Sequence, residues 1–459
     1  MATISPFRGI RYDPARVGDL SRVVAPPYDV IPPELHRRLL ERHPRNIVHI
    51  DFGPTRADDT PGRDRYSRAA AHLRAWQDEG TLVRDPRPAL YLYEQEFSLD
   101  PPADPAGPRP PTADPRRFPP PIVRRGFLAA LRLSPFGAGV VFPHERTLSA
   151  PKLDRLALLR ATETDTSPVF ALYSDPADTA TTALRAAADR PPDMVATDDA
   201  GVVHRCWRID DAGAVGAAVR DLDARRLFIA DGHHRYETTL GWRDELRART
   251  GGRPDAAPEF ILAFLCNMDA PGLVILPTHR GLHGVEGFTE AALLSRLRAV
   301  LPVATHPGGP LDAARAVAGA AGGGKALAWT AGGGRYHVVE FPAVEAFGAE
   351  HLACDPPELR TLDVVLLHDY VFQELLGIAP EDVTRGRYVR YYKEAGRAAA
   401  DLAAGELQAA FFLNPVGVEE FRRVSLSGHV LPQKTTFFHP KVFTGFVLLS
   451  ARPDEAVPG

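Results

Sequence analysis

An apolar run that leads into a charged turn occupies residues 227–235, Leu227-Phe228-Ile229-Ala230-Asp231-Gly232-His233-His234-Arg235. The apolar part predicts a short buried strand. Residues 236–249 place Leu240, Trp242 and Leu246 among charged residues, as an amphipathic helix does, and a Gly-Gly pair follows. The Asp-Gly-His-His-Arg element is therefore expected between a strand and a helix.

Such a turn is suited to bind a phosphate group. Backbone N–H groups, including that of Gly232, and the positive end of the helix dipole are aimed at one point, and Arg235 adds a planar, two-pronged donor for oxyanions. Asp231 can bind a metal or accept a proton, with the imidazoles of His233 and His234 beside it. The alternative is structural, because an Asp-Gly pair also forms ordinary turns and paired histidines are common on surfaces.

Composition narrows the class of protein. A chain of 459 residues is expected to form two to four domains, and 44% hydrophobic with 24% charged residues is typical of globular proteins. The net charge of −4 favours neither nucleic acid nor an anionic membrane as a partner. With no secretion signal, no run approaching 18 apolar residues and three widely spaced cysteines, we expect a cytoplasmic protein without disulfides or a cysteine zinc site.

Short predicted strands and helices alternate along the chain, which favours an α/β fold, with α+β as the alternative. We expect several subdomains: an N-terminal α/β unit at 1–98, a Pro-rich linker or loop excursion at 99–121, a central phosphate-binding core at 122–286, a small α/β insert at 287–345 and a C-terminal α/β unit at 346–459. The oligomeric state is left open.

Further elements are predicted outside this central core, among them the following three. Residues Ile47–Phe52 are predicted as a strand, Leu362–Leu376 as a helix and Val442–Leu449 as a strand. Each is inferred from an apolar run and from its spacing.

Several motifs that resemble known sites fail on inspection. Gly319 and Gly324-Lys325 resemble the start of a P-loop, but Ala326 stands where a Ser or Thr should meet Mg²⁺, and the loop runs from a helix into a strand. The adjacent His233 and His234 point about 100° apart on a helix and belong to no HExxH pattern, which disfavours a zinc site. No Gly-x-Ser-x-Gly elbow supports a hydrolase triad.

Two more clusters are rich in ionisable groups. Glu145 is followed by Lys152 and Arg155 on a predicted helix, which is either a solvated face with local ion pairs or part of a site. Near the C-terminus, Lys434 and Lys441 lie between apolar and aromatic residues. They are either ordinary surface or a clamp for a phosphate or carboxylate.

The chain resembles a large prokaryotic family known as domain of unknown function 1015. Six motifs carry the resemblance, in order along nearly the whole chain: Pro6-Phe7-Arg8-Gly9, Ala25-Pro26-Pro27-Tyr28-Asp29-Val30, His144-Glu145-Arg146-Thr147, Ser167-Pro168-Val169-Phe170, Ala230-Asp231-Gly232-His233-His234-Arg235 and Pro432-Gln433-Lys434-Thr435-Thr436. The family name supplies no reaction.

A more distant similarity does suggest chemistry. The turn, with Ala214 to Leu222 as the preceding helix, is similar to the phosphate-binding motif of the ParB/sulfiredoxin superfamily, and it implies a ParB/sulfiredoxin-like core around the turn. His234 stands where sulfiredoxins have their cysteine, so sulfinic-acid chemistry is not implied. No helix-turn-helix of the partitioning proteins is evident. The free serine kinases, with their Asp-Gly-His-x-Arg pattern, are the closest functional analogy.

The resemblance implies a phosphotransferase that acts between ADP or ATP, with Mg²⁺, and a small hydroxylated metabolite, with serine or O-phosphoserine favoured. Asp231 would hold Mg²⁺ or accept the hydroxyl proton, and His233 or His234 would stabilise the transferred group or act as base. Glu145 is the alternative base. The N–H groups at Gly232 and His233, the helix dipole and Arg235 would hold phosphate. Candidate clamps for the remaining phosphate or the substrate carboxylate are Arg8, Lys152, Arg155 and Lys434. A nucleotide-binding regulator or scaffold without catalysis and a phosphate-ester hydrolase remain alternatives.

Overall fold

The computed structural model describes residues 2–99, 121–145, 149–320, 324–352, 357–432 and 434–457. Nearly all of the Pro-rich segment lies outside the described residues, as do Arg146, Thr147, Cys354 and Gln433. The chain forms two compact units. The first comprises Met1–Pro143, Thr147–Leu273 and Pro440–Gly459, and the second comprises His144–Arg146 and Val274–His439. The five-part division expected from the sequence stays a prediction.

A nine-stranded mixed sheet organises the first unit. Its strands in chain order are β1 (Ile4–Ser5), β2 (Leu90–Phe97), β3 (Ile122–Arg132), β4 (Val141–Phe142), β5 (Val169–Tyr173), β6 (Met194–Thr197), β7 (Val203–Ile209), β8 (Leu227–Asp231) and β9 (Phe260–Asn267). They lie in the order β4-β8-β5-β9-β3-β2-β7-β6, and β1 pairs with β3. The β4–β8 and β5–β9 pairs are parallel and the others antiparallel. Two short antiparallel pairs are separate from this sheet: Ile10–Tyr12 with Leu82–Arg84, and Leu449–Ser450 with Thr164–Asp165.

Helices pack against this sheet and against each other. They are α1 (Pro14–Val17), α2 (Pro33–Arg42), α3 (Val48–Asp51), α4 (Arg65–Asp78), α5 (Ser149–Thr162), α6 (Thr179–Ala186), α7 (Ala212–Asp223) and α8 (His233–Thr250). Ala214, Ala218 and Leu222 of α7 lie in one apolar core with residues of β3, β8 and β9. Helix α8 packs on α5, where Trp242 and Leu246 are buried. The predicted α/β class is confirmed.

Two predicted strands are wrong. Residues Ile47–Phe52 contain helix α3, because the side-chain oxygen of Asn46 accepts the Val48 N–H at 3.0 Å and starts a helical turn in a run of strand-forming residues. Val442–Leu449 is mostly irregular, since Gly445 adopts φ 97° and only Leu449 belongs to a strand. The chain there forms single bridges to other segments and not a ladder.

The second unit contains a six-stranded antiparallel sheet. Its strands are β10 (His279–Leu282), β11 (Val303–Pro307), β12 (Lys325–Thr330), β13 (Arg335–Phe341), β14 (Val389–Tyr392) and β15 (Ala409–Phe412), in the order β11-β13-β12-β15-β10-β14. Val274–Leu276 and Phe437–His439 form a separate antiparallel pair. The helices are α9 (Glu290–Arg298), α10 (Pro310–Ala320), α11 (Val344–His351), α12 (Asp363–Val365), α13 (Pro380–Thr384), α14 (Ala395–Ala403) and α15 (Val418–Leu426).

The sequence expectations for the second unit are mostly confirmed. Leu366–Leu375 continues α12 as a π-helix, so the predicted helix at 362–376 is correct. The P-loop-like segment does run from a helix, α10, into a strand, β12. Lys325 at its end forms ion pairs with Glu420 at 2.8 Å and Asp363 at 3.1 Å, as expected of a structural lysine. None of the helices in the described residues is long and apolar enough to cross a membrane.

A matched pair of glycines tests the packing of the first unit. A Cβ at Gly126 in β3 would clash with the carbonyl oxygen of Leu265, whereas a Cβ at Gly241 in α8 meets nothing within 4 Å. We expect Gly126→Ala to lower the free energy of unfolding by about 1–3 kcal/mol through overpacking. Gly241→Ala should raise it by about 0.5–1 kcal/mol, because alanine favours a helix. Denaturant unfolding measures both, and equal effects would contradict the described packing.

Asp165 should make the stability of the first unit depend on pH. Burial raises its pKa to about 7, although the hydrogen bond that it accepts from the Leu262 N–H and the charge of Arg235 both act to lower it. An acid with a raised pKa binds its proton more tightly in the folded protein, so stability falls as pH rises from about 4 to about 7. Between pH 5 and 8 we expect wild type to lose about 2 kcal/mol more than Asp165→Asn. Parallel stability curves for the two proteins would rule this out.

Candidate functional site

The predicted strand-to-helix turn is confirmed in the first unit. Strand β8 ends at Asp231, and helix α8 begins at His233. Gly232 between them adopts φ 92° and ψ 27°, a left-handed conformation that favours glycine. A Cβ at this position would also lie 3.0 Å from the guanidinium of Arg235. Both the backbone and the neighbouring side chain therefore require glycine here.

The carboxylate of Asp231 lies between two cations. Its Oδ1 forms an ion pair with Nζ of Lys441, and its Oδ2 accepts Nη2 of Arg235 at 2.6 Å. Burial acts to raise the pKa of Asp231, but the charges of Lys441 and Arg235 outweigh it and hold that pKa well below its usual range. Asp231 is therefore ionised throughout the physiological pH range, which makes it a strong electrostatic anchor and a weak proton acceptor.

Arg235 is buried and faces the protein. Its Nη1 donates to Oγ of Ser167 at 2.8 Å and to the carbonyl of Pro168, while Nη2 holds Asp231. Thr444 supports this arrangement by donating to Oγ of Ser167 at 2.9 Å. These contacts make Arg235 a positioning residue that ties the turn to the segment before β5. Its expected role as a direct phosphate ligand stays a prediction.

Asp29 adds a second carboxylate near the turn. It lies in the single helical turn Tyr28–Val30 and is exposed to solvent. Desolvation and then the negative charge of Asp231 raise its pKa, against the charges of Arg235 and Lys441. The charge of Asp231 thus contributes to this shift beside desolvation. Among the residues that the structure describes, Asp29 forms no ion pair.

The two histidines of the turn differ in environment. His233 is buried, and its charge helps to lower the pKa of Asp231. His234 is half-buried, and desolvation lowers its pKa, with Asp29 and Glu237 acting in the opposite direction. A lowered pKa keeps the imidazole of His234 neutral at pH 7, so it is able to accept or donate a hydrogen bond.

Two predicted clamps in the first unit have protein partners. Lys152 forms an ion pair with Glu237 at 2.8 Å, and its charge also acts on His234. The guanidinium of Arg155 is saturated by Asp154 at 2.7 Å and Asp51 at 3.3 Å, and it lies 4.0 Å from the ring centroid of Tyr28. Lys152 therefore lies near the turn, and Arg155 packs against the segment that contains Asp29.

Three further residues were predicted for the site: Arg8, Glu145 and Lys434. Arg8 donates to the carbonyl of Asp85 at 2.8 Å, and within the described residues it makes no hydrogen bond or ion pair with the turn. Glu145 and Lys434 belong to the second unit. There the charge of Glu145 acts on Lys434.

Sequence reasoning missed the roles of two residues at this site. In the sequence, Lys441 belongs to a cationic cluster and Asp29 to a Pro-Pro-Tyr-Asp motif. The sequence shows only that Lys441 lies between aromatic residues and that Asp29 follows two prolines and a tyrosine. Neither signal pointed to residues 231–235, because nothing in the sequence links such distant segments.

The side chains at the turn offer few ligand atoms to a metal ion. No group of three or more His, Cys, Asp or Glu side chains in the described ranges is placed to hold a metal ion. Both oxygens of Asp231 already accept from cations. Mg²⁺ typically uses one or two carboxylates together with substrate phosphates, and the expected role of Asp231 as a metal ligand stays a prediction.

Comparisons with known proteins give one family. Solved structures with some likeness include a free serine kinase in complex with AMP (15% identity, TM-score 0.30, 65% of this chain and 83% of that chain). Others are a conserved hypothetical protein from Pyrococcus furiosus (14%, 0.30, 66% and 88%) and SbnI with a C-terminal truncation from Staphylococcus aureus (11%, 0.36, 72% and 91%). No curated protein matches the chain. The profile of the proteins of unknown function called DUF1015 matches residues 4–103 and 116–365, and the chain belongs to this family.

Proposed function

We propose that the first unit is a phosphotransferase that acts between ADP or ATP and a small hydroxylated metabolite, with serine or O-phosphoserine favoured. One observation carries the proposal: at the start of α8, which no side chain caps, Asp231 is held by Lys441 and Arg235, and a second carboxylate, Asp29, acts on it electrostatically, so that the pKa values of the two are shifted in opposite directions. Such a separation is typical of sites that assign an ionised anchor and a proton acceptor to two similar groups.

A nucleotide phosphate would bind at the start of α8. Gly232 has no side chain to cap this helix, so a phosphate oxygen can take the place of a cap. The helix dipole and the charge of Lys441 favour an anion there. Arg235, held by Ser167 and Asp231, keeps the turn in position during binding.

Proton transfer falls to Asp29 in this proposal. The substrate hydroxyl loses its proton to Asp29, its oxygen forms a bond to the terminal phosphorus, and the bond from phosphorus to the nucleotide oxygen breaks with its electron pair on the nucleotide. The reverse sequence consumes a phosphorylated metabolite. Mg²⁺ bound with the nucleotide would neutralise phosphate charge. Neutral His234 donates a hydrogen bond to the transferred group, and Lys152 is suited to hold a substrate carboxylate.

A regulator that binds nucleotide without transferring phosphate is the second candidate. The observation that favours it is that both oxygens of Asp231 are already engaged by cations. In that case nucleotide binding would persist while no phosphoryl transfer occurs. Glu145, the alternative base, belongs to the second unit, and the proposal uses Asp29 in its place.

Phosphorus NMR of the purified full chain tests the proposal. With Mg²⁺ we expect new phosphate resonances from O-phosphoserine and ADP, or from serine and ATP or ADP. Asp29→Asn should slow the reaction at least about 100-fold, as loss of a general base does, and Asp231→Asn should abolish it. Asp199→Asn, which changes an exposed aspartate of the same unit, is the control. Spectra without new resonances, alongside clear nucleotide binding, would favour the regulator.

The coupling of the two carboxylates is measurable without activity. In carbon NMR titrations we expect the pKa of Asp29 in wild type to exceed the usual value of about 3.9. In Asp231→Asn it should fall, because the nearby negative charge is gone while Lys441 and Arg235 remain. An Asp29 pKa that is the same in both proteins would show that the two groups do not interact.

A further inference from the structure

The second unit contains a groove that the proposed function does not use. We propose that this groove, formed around Lys434, Arg385 and Tyr391, binds a small molecule through an oxyanion group, either a phosphate or a carboxylate. The proposal does not rest on phosphotransfer by the first unit. All of the lining residues belong to the second unit.

The groove has the size and the charge of a small-molecule site. Its volume is about 430 Å³, which lies within the range of ligand pockets. Two of its charged residues are already neutralised: Arg390 pairs with Glu406 at 2.7 Å, and Asp401 accepts from the hydroxyl of Tyr392 at 2.8 Å and pairs with Arg397 at 3.3 Å. The charges that remain in the lining are therefore positive, at Lys434 and Arg385.

Behind this groove lies a buried cation. Arg280 is 1% exposed, and its guanidinium donates to Nε2 of His368 at 3.2 Å and to the carbonyls of Thr278 and Lys434. No carboxylate in the described ranges lies within ion-pair distance of it. A buried charge without a counter-ion in direct contact is costly. Burial lowers the pKa of Arg280 to about 10, against the charges of Tyr391 and Glu145.

Tyr391 links the buried cation to the groove. Its ring centroid lies 5.0 Å from the guanidinium carbon of Arg280 and 4.5 Å from Nζ of Lys434. Burial and then the charge of Arg280 lower the pKa of Lys434, whereas Glu145 raises it. Two cations thus share one aromatic ring, and a bound anion would relieve their repulsion.

The backbone at Lys434 is also strained. It adopts φ 56°, one of four left-handed non-glycine residues in the described chain. This conformation directs its carbonyl to Arg280 at 3.2 Å while its ammonium contacts Tyr391. Strain of this kind is concentrated at binding and catalytic sites. A glycine at position 434 would relieve the strain but would lack the ammonium group. The presence of a lysine there in spite of the strain is consistent with a ligand-binding role for its side chain.

Calorimetric titration of the full chain with inorganic phosphate and with succinate tests the proposal. We expect wild type to bind at least one of the two anions. The anion that binds shows whether the groove recognises a phosphate or a carboxylate. Lys434→Met and Arg385→Met should each weaken that binding at least tenfold. Arg315→Met removes an exposed charge of the same unit and is the matched control, which should bind as wild type does.

A second variant separates binding from folding. Lys434→Gly should melt at a higher temperature than wild type, because φ 56° suits glycine, and yet lose the anion as Lys434→Met does. Phosphate bound by the first unit is untouched by these changes, so the difference from wild type reports the second unit alone. The proposal is overturned if neither anion binds wild type, or if the Lys434 and Arg385 variants bind as tightly as wild type.

Discussion

The carboxylate of Asp231, shared between Lys441 and Arg235, is the interaction on which the candidate site depends. It neutralises two cations in a buried place, fixes the strand-to-helix turn and, through Arg235, holds the segment at Ser167. Loss of either cation would leave the buried carboxylate with only one ion-pair partner, which is destabilising. Together with desolvation, the same carboxylate raises the pKa of Asp29, and in the proposed reaction the two residues would have different acid–base roles.

This interaction also joins two segments that lie far apart in the sequence. Residues 440–459 belong to the first unit. Lys441 in this segment lies 210 residues beyond Asp231 in the sequence. Thr444 from the same segment contacts Ser167, and Leu449 pairs with Asp165. The C-terminal segment is therefore part of the site and not an appendage, and the second unit is inserted between two parts of the first.

Local signals explain what could be predicted from the sequence. The apolar run of β8, the glycine at φ 92° and the helical spacing after it are all short-range, and the turn that they predict is confirmed. Asp29 and Lys441 reach Asp231 only through tertiary folding, which no spacing in one sequence reveals. The error at Ile47–Phe52 has the same origin, because the Asn46 side chain and the surrounding packing outweigh strand propensity. The ParB/sulfiredoxin assignment stays a prediction.

Hydrogen–deuterium exchange of the full chain with and without ADP tests most directly whether the turn at Asp231 binds a nucleotide phosphate. We predict slower amide exchange at residues 231–236 when ADP is present, because phosphate oxygens would accept the N–H groups at the start of α8. Strand β3 serves as the internal reference and should not change. Unchanged exchange at residues 231–236 at an ADP concentration that saturates the protein would contradict the account.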